Sequence, residues 1–116
     1  MKDCVFCKML SGEIKISPDY QNDHAFLIRD RNPIAPQHML AITKEHFQNV
    51  SDMNSETRKN VISAMFDLID EYVRDLKLND GGYRIVTNSG KNAGQTVQHL
   101  HFHVIAGAPL KNDFGA

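Results

Sequence analysis

The chain lacks tryptophan, has only two cysteines among its 116 residues and carries a formal net charge of −1. Two cysteines are too few for the disulfide framework of a small secreted domain, and a net charge near zero offers no general field for nucleic acid or anionic lipid. No apolar run approaches the length of a membrane span, and the N-terminus lacks the apolar region of a signal peptide. We therefore expect a cytoplasmic protein with one domain, residues 1–116, and no nucleic-acid or membrane partner.

Both cysteines lie near the N-terminus, as Cys4 and Cys7 of a Cys-Val-Phe-Cys sequence. A disulfide between them would close a very small loop and is rare in a reducing compartment. A redox pair of the thioredoxin type follows a strand, and no strand is predicted before residue 4. Two interpretations stay open: half of a zinc site that needs two further ligands, or two unrelated thiols of which one is buried.

Hydrophobic periodicity predicts an α+β fold with a mostly antiparallel sheet. The clearest element is a helix over residues 55–76, in which apolar residues recur every three or four positions and Asn54 is placed to cap the first turn. Strands are expected where apolar and β-branched residues cluster between turn residues. The other expected elements are a short helix over 4–11, a β-rich segment over 14–31 with a strand at 25–29, strands over 38–42 and 83–87, a turn at 79–82, a loop over 88–94 and a strand over 96–105.

Three of the six histidines alternate along residues 99–105, which read His-Leu-His-Phe-His-Val-Ile. Side chains alternate between the faces of a strand, so His99, His101 and His103 would share one face, about 6.5–7 Å apart. The row suits three uses: ligands of a catalytic zinc ion, a nucleophile that attacks phosphorus, or a polar face with structural hydrogen bonds. Three histidines in register favour the first two.

The segment before this row is rich in hydrogen-bond donors. Residues 88–96 read Asn-Ser-Gly-Lys-Asn-Ala-Gly-Gln-Thr, with two glycines, amide and hydroxyl side chains and one lysine. A loop of this kind can form an anion-binding concavity, although it lacks the pattern of a P-loop. Donors that lead directly into a histidine row favour phosphoryl chemistry over metal-dependent hydrolysis.

Residues 94–105 resemble the signature of the histidine triad (HIT) family, in which three histidines alternate with apolar residues after a glycine and a glutamine. Residues 4–14 resemble the opening of the bacterial Hint-like branch, and the segment 30–38 matches the family's first ribose-contacting strand and turn. The resemblance implies a single HIT domain over 1–116. It also implies a five-stranded antiparallel sheet with one long and one or more short helices, joined across a homodimer.

The resemblance also implies roles for the polar residues. His101 would be the nucleophile that attacks the α-phosphorus of a nucleotide, and Asp30 would accept hydrogen bonds from the ribose hydroxyls. His38 would support the active-site histidines. The implied catalytic residues are His101, His103 and Thr96, and the implied nucleotide-binding residues are Asp30, Asn88, Gly94, Gln95, Thr96, His101 and His103.

Related proteins hold a structural zinc ion between a Cys-x-x-Cys pair and two histidines. The matching ligands here are Cys4, Cys7, His46 and His99, a closed set that leaves the metal no catalytic role. No catalytic metal is expected. The other interpretation makes His46 an exposed histidine and Cys4 a thiol without a metal.

The implied activity is that of a purine nucleoside 5′-monophosphoramidase acting on a derivative of AMP or GMP. Three alternatives remain: a dinucleoside polyphosphate hydrolase, a nucleotide-binding regulatory module with weak activity, and a zinc hydrolase with its metal on the triad. Two departures from the eukaryotic Hint pattern bear on specificity. Arg29 and Arg31 flank Asp30, and the tail at 108–116 lacks the tryptophan-containing ending, so neither base preference nor leaving group follows from the resemblance.

Overall fold

The computed structural model describes residues 3–111, so the last five residues of the predicted domain and tail, 112–116, lie outside the described residues. None of the helices in this part of the chain is both long and apolar enough to cross a bilayer. The elements are α1 (Val5–Leu10), β1 (Tyr20–Gln21), β2 (Ala25–Arg29), β3 (Gln37–Thr43), α2 (Ser55–Asp75), α3 (Leu78–Gly81), β4 (Tyr83–Val86) and β5 (His101–Ala106), with short 3-10 turns at Val50–Asp52 and Lys91–Ala93.

The strands form one antiparallel five-stranded sheet in the order β1-β2-β3-β5-β4. β5 therefore pairs on both sides, with β3 and with β4, and the strand that carries the histidines lies inside the sheet. This arrangement confirms the predicted α+β fold with one long helix and short helices.

α2 covers one face of the sheet. Its predicted apolar stripe is buried against Leu100, Phe102 and Val104, which point to this face from β5 and the residue before it. The start of the helix is also as predicted, because the Asn54 side chain accepts a hydrogen bond from the Thr57 N–H at 2.8 Å. Period-two alternation then sends His101 and His103 to the opposite face. There a smaller apolar cluster under α1 surrounds them, formed around Phe6, Phe26, Leu40 and Ile42.

The predicted strand over 96–105 was wrong in its first half, since β5 begins at His101. The N–H of His99 donates to the Val97 carbonyl, and the N–H of Leu100 donates to the Phe47 carbonyl, so the chain turns locally before it enters the sheet. His99 is consequently not in line with the other two histidines.

Two further predictions need correction. The β-rich segment over 14–31 contains only β1 and β2, and residues 14–19, with a proline at position 18, form no strand. The turn predicted at 79–82 is in part a single helical turn, α3, which begins after Lys77 in a left-handed conformation with φ of 57° and ends at Gly82 with φ of 103°.

Candidate active site

β5 places His101 and His103 two residues apart on the face of the sheet covered by α1. Phe6 of α1 packs edge-on against the His101 ring, with the ring centroids 5.2 Å apart. The His101 and His103 rings are also 5.2 Å apart. The strand and the helix thus hold two imidazoles side by side with one wall of the site apolar.

His101 is held in one tautomer. Its Nδ1–H donates to the carbonyl of His99 at 2.7 Å, which leaves the Nε2 atom with a free lone pair. Burial lowers the pKa of His101, although the hydrogen bond to His99 and the charge of Asp30 act in the opposite direction. A neutral imidazole with an unshared lone pair on Nε2 is the form that can act as a nucleophile.

His103 has the opposite tautomer, set by a chain of hydrogen bonds through His38. The Ile34 N–H donates to His38 Nδ1 at 3.2 Å, so the proton of neutral His38 is on Nε2. That Nε2–H donates to His103 Nδ1 at 2.9 Å, which assigns the proton of His103 to its Nε2. Burial, followed by the charges of His101 and His38, lowers the pKa of His103. The site therefore pairs one imidazole acceptor, on His101, with one imidazole donor, on His103.

Asp30 lies directly after β2 and faces this pair. Its Oδ2 is 3.2 Å from His38 Nε2 and 3.8 Å from His103 Nδ1, and its side chain is only 17% exposed. Its Oδ1 accepts the Asn32 N–H at 2.9 Å, and its backbone N–H donates to the His38 carbonyl. The turn between β2 and β3 thus places a carboxylate beside the histidines rather than in solvent.

A cavity of about 840 Å³ opens beside these groups, a volume in the range of small-molecule sites. Its apolar wall includes Phe6 and Ile28, and its polar wall includes Asp30, Thr96 and both β5 histidines. A second cavity, of about 650 Å³, adjoins His103 from the other side and is lined by His38, Asn88 and Arg84 among others. The structure therefore brings the predicted residues Asp30, His38, Asn88, Thr96, His101 and His103 around two adjoining cavities.

The donor-rich loop is held together by its own hydrogen bonds. Gln95 accepts the Gly90 N–H at 2.8 Å through Oε1, and its Nε2 donates to the carbonyls of Gln48 and Val97 at 2.6 and 3.1 Å. The backbone N–H groups of Gly94 and Gln95 donate to Lys91 and Gly90 carbonyls. Gly94 has φ of 78°, a conformation that favours glycine. Gly94 and Gln95, predicted to contact the nucleotide, therefore serve in this structure to shape the loop.

Loss of the Gln95 side-chain hydrogen bonds is expected to lower the stability of the fold. In Gln95→Ala, the Gly90 N–H and the Gln48 carbonyl lose buried partners, so we expect the free energy of unfolding to fall by about 1–3 kcal/mol. Urea denaturation of the two proteins measures this difference. Asn92→Ala is the matched control, because Asn92 is an exposed amide of the same loop and its truncation should change stability by less than about 0.5 kcal/mol. Equal stability of Gln95→Ala and the parent protein would contradict this stabilising role of the Gln95 side chain.

The four predicted metal ligands form a separate cluster behind the active site. Cys4 Sγ is 3.1 Å from His99 Nδ1, and Cys7 Sγ is 3.2 Å from His46 Nδ1. The two Nδ1 atoms are themselves 3.2 Å apart. All four ligand atoms lie within 4.8 Å of one another, close enough for two sulfur and two nitrogen atoms to bind one ion.

The protonation of the cluster also suits a metal. His99 Nε2–H donates to the Thr43 carbonyl at 2.8 Å, so Nδ1 is free to coordinate. Burial, with the charges of His46 and His101, lowers the pKa of His99 to about 4 against the effect of the Thr43 bond, which keeps the ring neutral. Burial raises the pKa of Cys7, which holds its thiol protonated until a cation displaces the proton. The residues present fit a structural Cys₂His₂ zinc ion.

Comparison with known proteins identifies the family to which this arrangement of residues belongs. The HIT domain family model matches residues 11–110. The chain belongs to the HIT family. An uncharacterized 13.2 kDa HIT-like protein from Azospirillum brasilense is 37% identical to it over 106 residues, which are 91% of this chain and 87% of that protein.

Solved structures of HIT proteins have the same fold. A HIT family hydrolase from Clostridium thermocellum superposes with a TM-score of 0.90 at 35% identity, covering 98% of each chain. A hypothetical histidine triad nucleotide-binding protein from Sulfolobus tokodaii gives a TM-score of 0.75 at 30% identity, covering 89% of this chain and 68% of that one. The resemblance read from residues 94–105 is thereby confirmed.

Three contacts in the site of this HIT protein correspond to no recognisable sequence motif. The Thr43 carbonyl orients His99, the Thr87 hydroxyl donates to the His101 carbonyl at 2.8 Å, and Phe6 packs on both His99 and His101. A backbone carbonyl is present at every position, so Thr43 offered no sequence signal. Phe6 offered a weak one, since it is the aromatic residue inside the Cys-x-x-Cys segment.

Proposed function

We propose that the protein hydrolyses phosphoramidate derivatives of purine nucleoside 5′-monophosphates through a nucleotidyl–His101 intermediate. The observation that carries the proposal is the hydrogen bond from His101 Nδ1–H to the His99 carbonyl, which leaves Nε2 with its lone pair free. Membership of the HIT family and the similarity to a HIT family hydrolase support hydrolysis. The similarity to a histidine triad nucleotide-binding protein supports a nucleotide as the substrate.

The reaction proceeds in two displacements. His101 Nε2 attacks the α-phosphorus, a P–N bond forms, and the P–N bond to the leaving amine breaks as that nitrogen takes up a proton. Water then attacks the same phosphorus and gives up a proton to solvent, the P–N bond to His101 Nε2 breaks, and the nucleoside monophosphate is released with the imidazole restored. Thr96, on the wall of the larger cavity, offers a hydroxyl that would pass the proton to the leaving group.

Charge on the transferred phosphoryl group is balanced by fixed donors. His103 supplies its Nε2–H, since its Nδ1 accepts from His38, and the Asn88 side chain lines the adjoining cavity. Donors held in place before the reaction stabilise a developing charge without reorganisation. Asp30, on the wall of the larger cavity, is a carboxylate suited to accept hydrogen bonds from both ribose hydroxyls.

We propose that Cys4, Cys7, His46 and His99 hold a structural zinc ion, as the donor set and its spacings support. When bound, the ion would tie α1 to His99, which lies two residues before the start of β5. This tie would fix the His99 carbonyl, and therefore the acceptor of the His101 proton.

A paired assay tests the substrate class. We expect the protein to hydrolyse an adenosine or guanosine 5′-phosphoramidate with a higher kcat/KM than a diadenosine polyphosphate at equal concentration. Both reactions would use His101, so the comparison isolates the leaving group. A preference for the dinucleotide would replace the proposed activity with dinucleoside polyphosphate hydrolysis, and binding of AMP without turnover of either compound would indicate a regulatory module.

We also propose a homodimer in which β4, an edge strand of the sheet, pairs with its copy. Among the described residues β4 is the last strand of the sheet and pairs with β5, Tyr83 of β4 is 40% exposed, and Phe66 of α2 is 43% exposed beside Phe102. Large apolar side chains next to an open strand edge favour association. Light scattering should give twice the mass of the chain, and a single-chain mass at assay concentrations would contradict the dimer.

A further inference from the structure

We infer that Asp30, His38 and His103 form a second metal site, for a divalent transition-metal ion that competes with the nucleotide. This set is separate from the cysteine cluster and shares no residue with it. Only the competition with nucleotide rests on the proposed function. The binding of the metal does not.

The spacing of the three ligand atoms carries the inference. His38 Nε2 is 2.9 Å from His103 Nδ1 and 3.2 Å from Asp30 Oδ2, and the third distance, from His103 Nδ1 to Asp30 Oδ2, is 3.8 Å. A point equidistant from these atoms lies about 2.0 Å from each, which is the bond length that Zn²⁺ makes to nitrogen and carboxylate oxygen. The three distances therefore allow one ion to bind all three atoms.

The donor types select the ion. Two imidazole nitrogens and one carboxylate oxygen suit Zn²⁺, Co²⁺, Ni²⁺ or Fe²⁺, whereas Mg²⁺ and Ca²⁺ prefer oxygen alone. Two of the three ligands also have a partner that orients them: the Ile34 N–H bonds the other ring nitrogen of His38, and the Asn32 N–H bonds the other oxygen of Asp30. Such supporting hydrogen bonds are typical of metal ligands.

The site is open on two sides, so an ion can enter and keep water molecules as its further ligands. Asp30 and His103 line the larger cavity, and His38 and His103 line the smaller one. Three protein ligands with open positions are the arrangement of an exchangeable site rather than a closed structural one. The metal would replace the proton that His38 donates to His103.

Binding of the metal would prevent Asp30 from binding the ribose and would leave His103 able to donate to the phosphate. Coordination through His103 Nδ1 preserves its Nε2–H as a phosphate donor, and His101 is not a ligand. Asp30, however, would have its Oδ2 on the metal and could no longer accept from both ribose hydroxyls. The ion is therefore expected to raise KM for the nucleotide substrate and to change kcat little.

The test is a titration with Co²⁺ of protein that carries one zinc ion per chain, in the cysteine cluster, followed by visible absorption. Co²⁺ binds more weakly than Zn²⁺ to the same ligands, so it does not displace zinc from the cysteine cluster. We expect one further Co²⁺ per chain, with d–d absorption and without a sulfur-to-metal charge-transfer band. In His38→Ala and in Asp30→Asn, which is close to isosteric, the affinity should fall more than about 100-fold.

Two controls make the result decisive. His24→Ala removes an exposed histidine outside the cluster and should leave the second Co²⁺ bound, while Cys4→Ser should weaken the first metal and keep the second. Absence of a second Co²⁺ in the parent protein, or its persistence in both His38→Ala and Asp30→Asn, would overturn the site. AMP should displace the bound Co²⁺, and simultaneous binding of both would overturn the competition. Failure of AMP to bind the Co²⁺-free protein would count against the proposed function alone.

Discussion

Hydrolysis of an adenosine 5′-phosphoramidate is expected to fall at least about 10⁴-fold in His101→Gly. The reason is the loss of the only proposed nucleophile, whose Nε2 lone pair is set free by the hydrogen bond from Nδ1–H to the His99 carbonyl. The remaining donors can still polarise the phosphoryl group, but water would then have to attack it directly. Steady-state rates with the amine product followed by chromatography measure the effect.

Two matched variants separate the nucleophile from its neighbours. His103→Ala should lower kcat by about 10²–10³-fold, because it removes one donor to the phosphoryl oxygens and leaves the attacking atom in place. His24→Ala, an exposed histidine away from the site, should be within about twofold of the parent protein. If His101→Gly retains more activity than His103→Ala, the assignment of the nucleophile is wrong.

Loss of a cysteine ligand has the second large expected effect. In Cys7→Ser we expect the bound zinc to fall from about one ion per chain to a small fraction, together with a marked drop in Tm, since the ion joins α1 to the chain that leads into β5. Metal analysis of protein purified without chelator and thermal unfolding measure both quantities. Ser11→Ala is the control, because the Ser11 hydroxyl lies just beyond α1 and donates to the Lys8 carbonyl, while the backbone hydrogen bond from Ser11 to Cys7 is kept in the variant.

The same variant reports on the link between metal and catalysis. His99 is a ligand through Nδ1 while its carbonyl accepts the His101 proton, so release of the metal should loosen the orientation of the nucleophile. We expect kcat of Cys7→Ser to fall about tenfold with little change in KM, a loss typical of a supporting residue. Full zinc content in Cys7→Ser would contradict the site, and complete loss of activity in a protein that remains folded would contradict a purely structural metal.

Local sequence patterns predicted the elements better than their ends. The apolar stripe of α2 and its Asn54 cap were read correctly, because both depend on residues within a few positions of one another. The start of β5 was not predicted correctly. Alternation continues through His99, but the Leu100 N–H bonds the Phe47 carbonyl, and that partner lies more than fifty residues away in the chain.

In the site, too, local patterns predicted which residues come together but not the hydrogen bonds that depend on distant parts of the chain. Alternation did place His101 and His103 on one face, and the turn before β3 did bring Asp30 and His38 to them. The opposite tautomers of the two imidazoles depend on backbone partners, the His99 carbonyl for one and the Ile34 N–H through His38 for the other. Which carbonyl or N–H meets a ring nitrogen is decided by tertiary packing, so residue identities alone do not reveal it.

The most direct test of the central claim, covalent catalysis by His101, is a rapid-quench experiment with excess protein and an adenosine 5′-phosphoramidate, followed by mass spectrometry of the intact protein and its peptides. We predict an early adduct of one nucleotidyl group on the peptide that contains residues 99–105, located on His101, that forms before AMP is released and disappears as AMP accumulates. His101→Gly should show no adduct. Hydrolysis at the normal rate with no adduct at any time, or with the adduct on another residue, would contradict it.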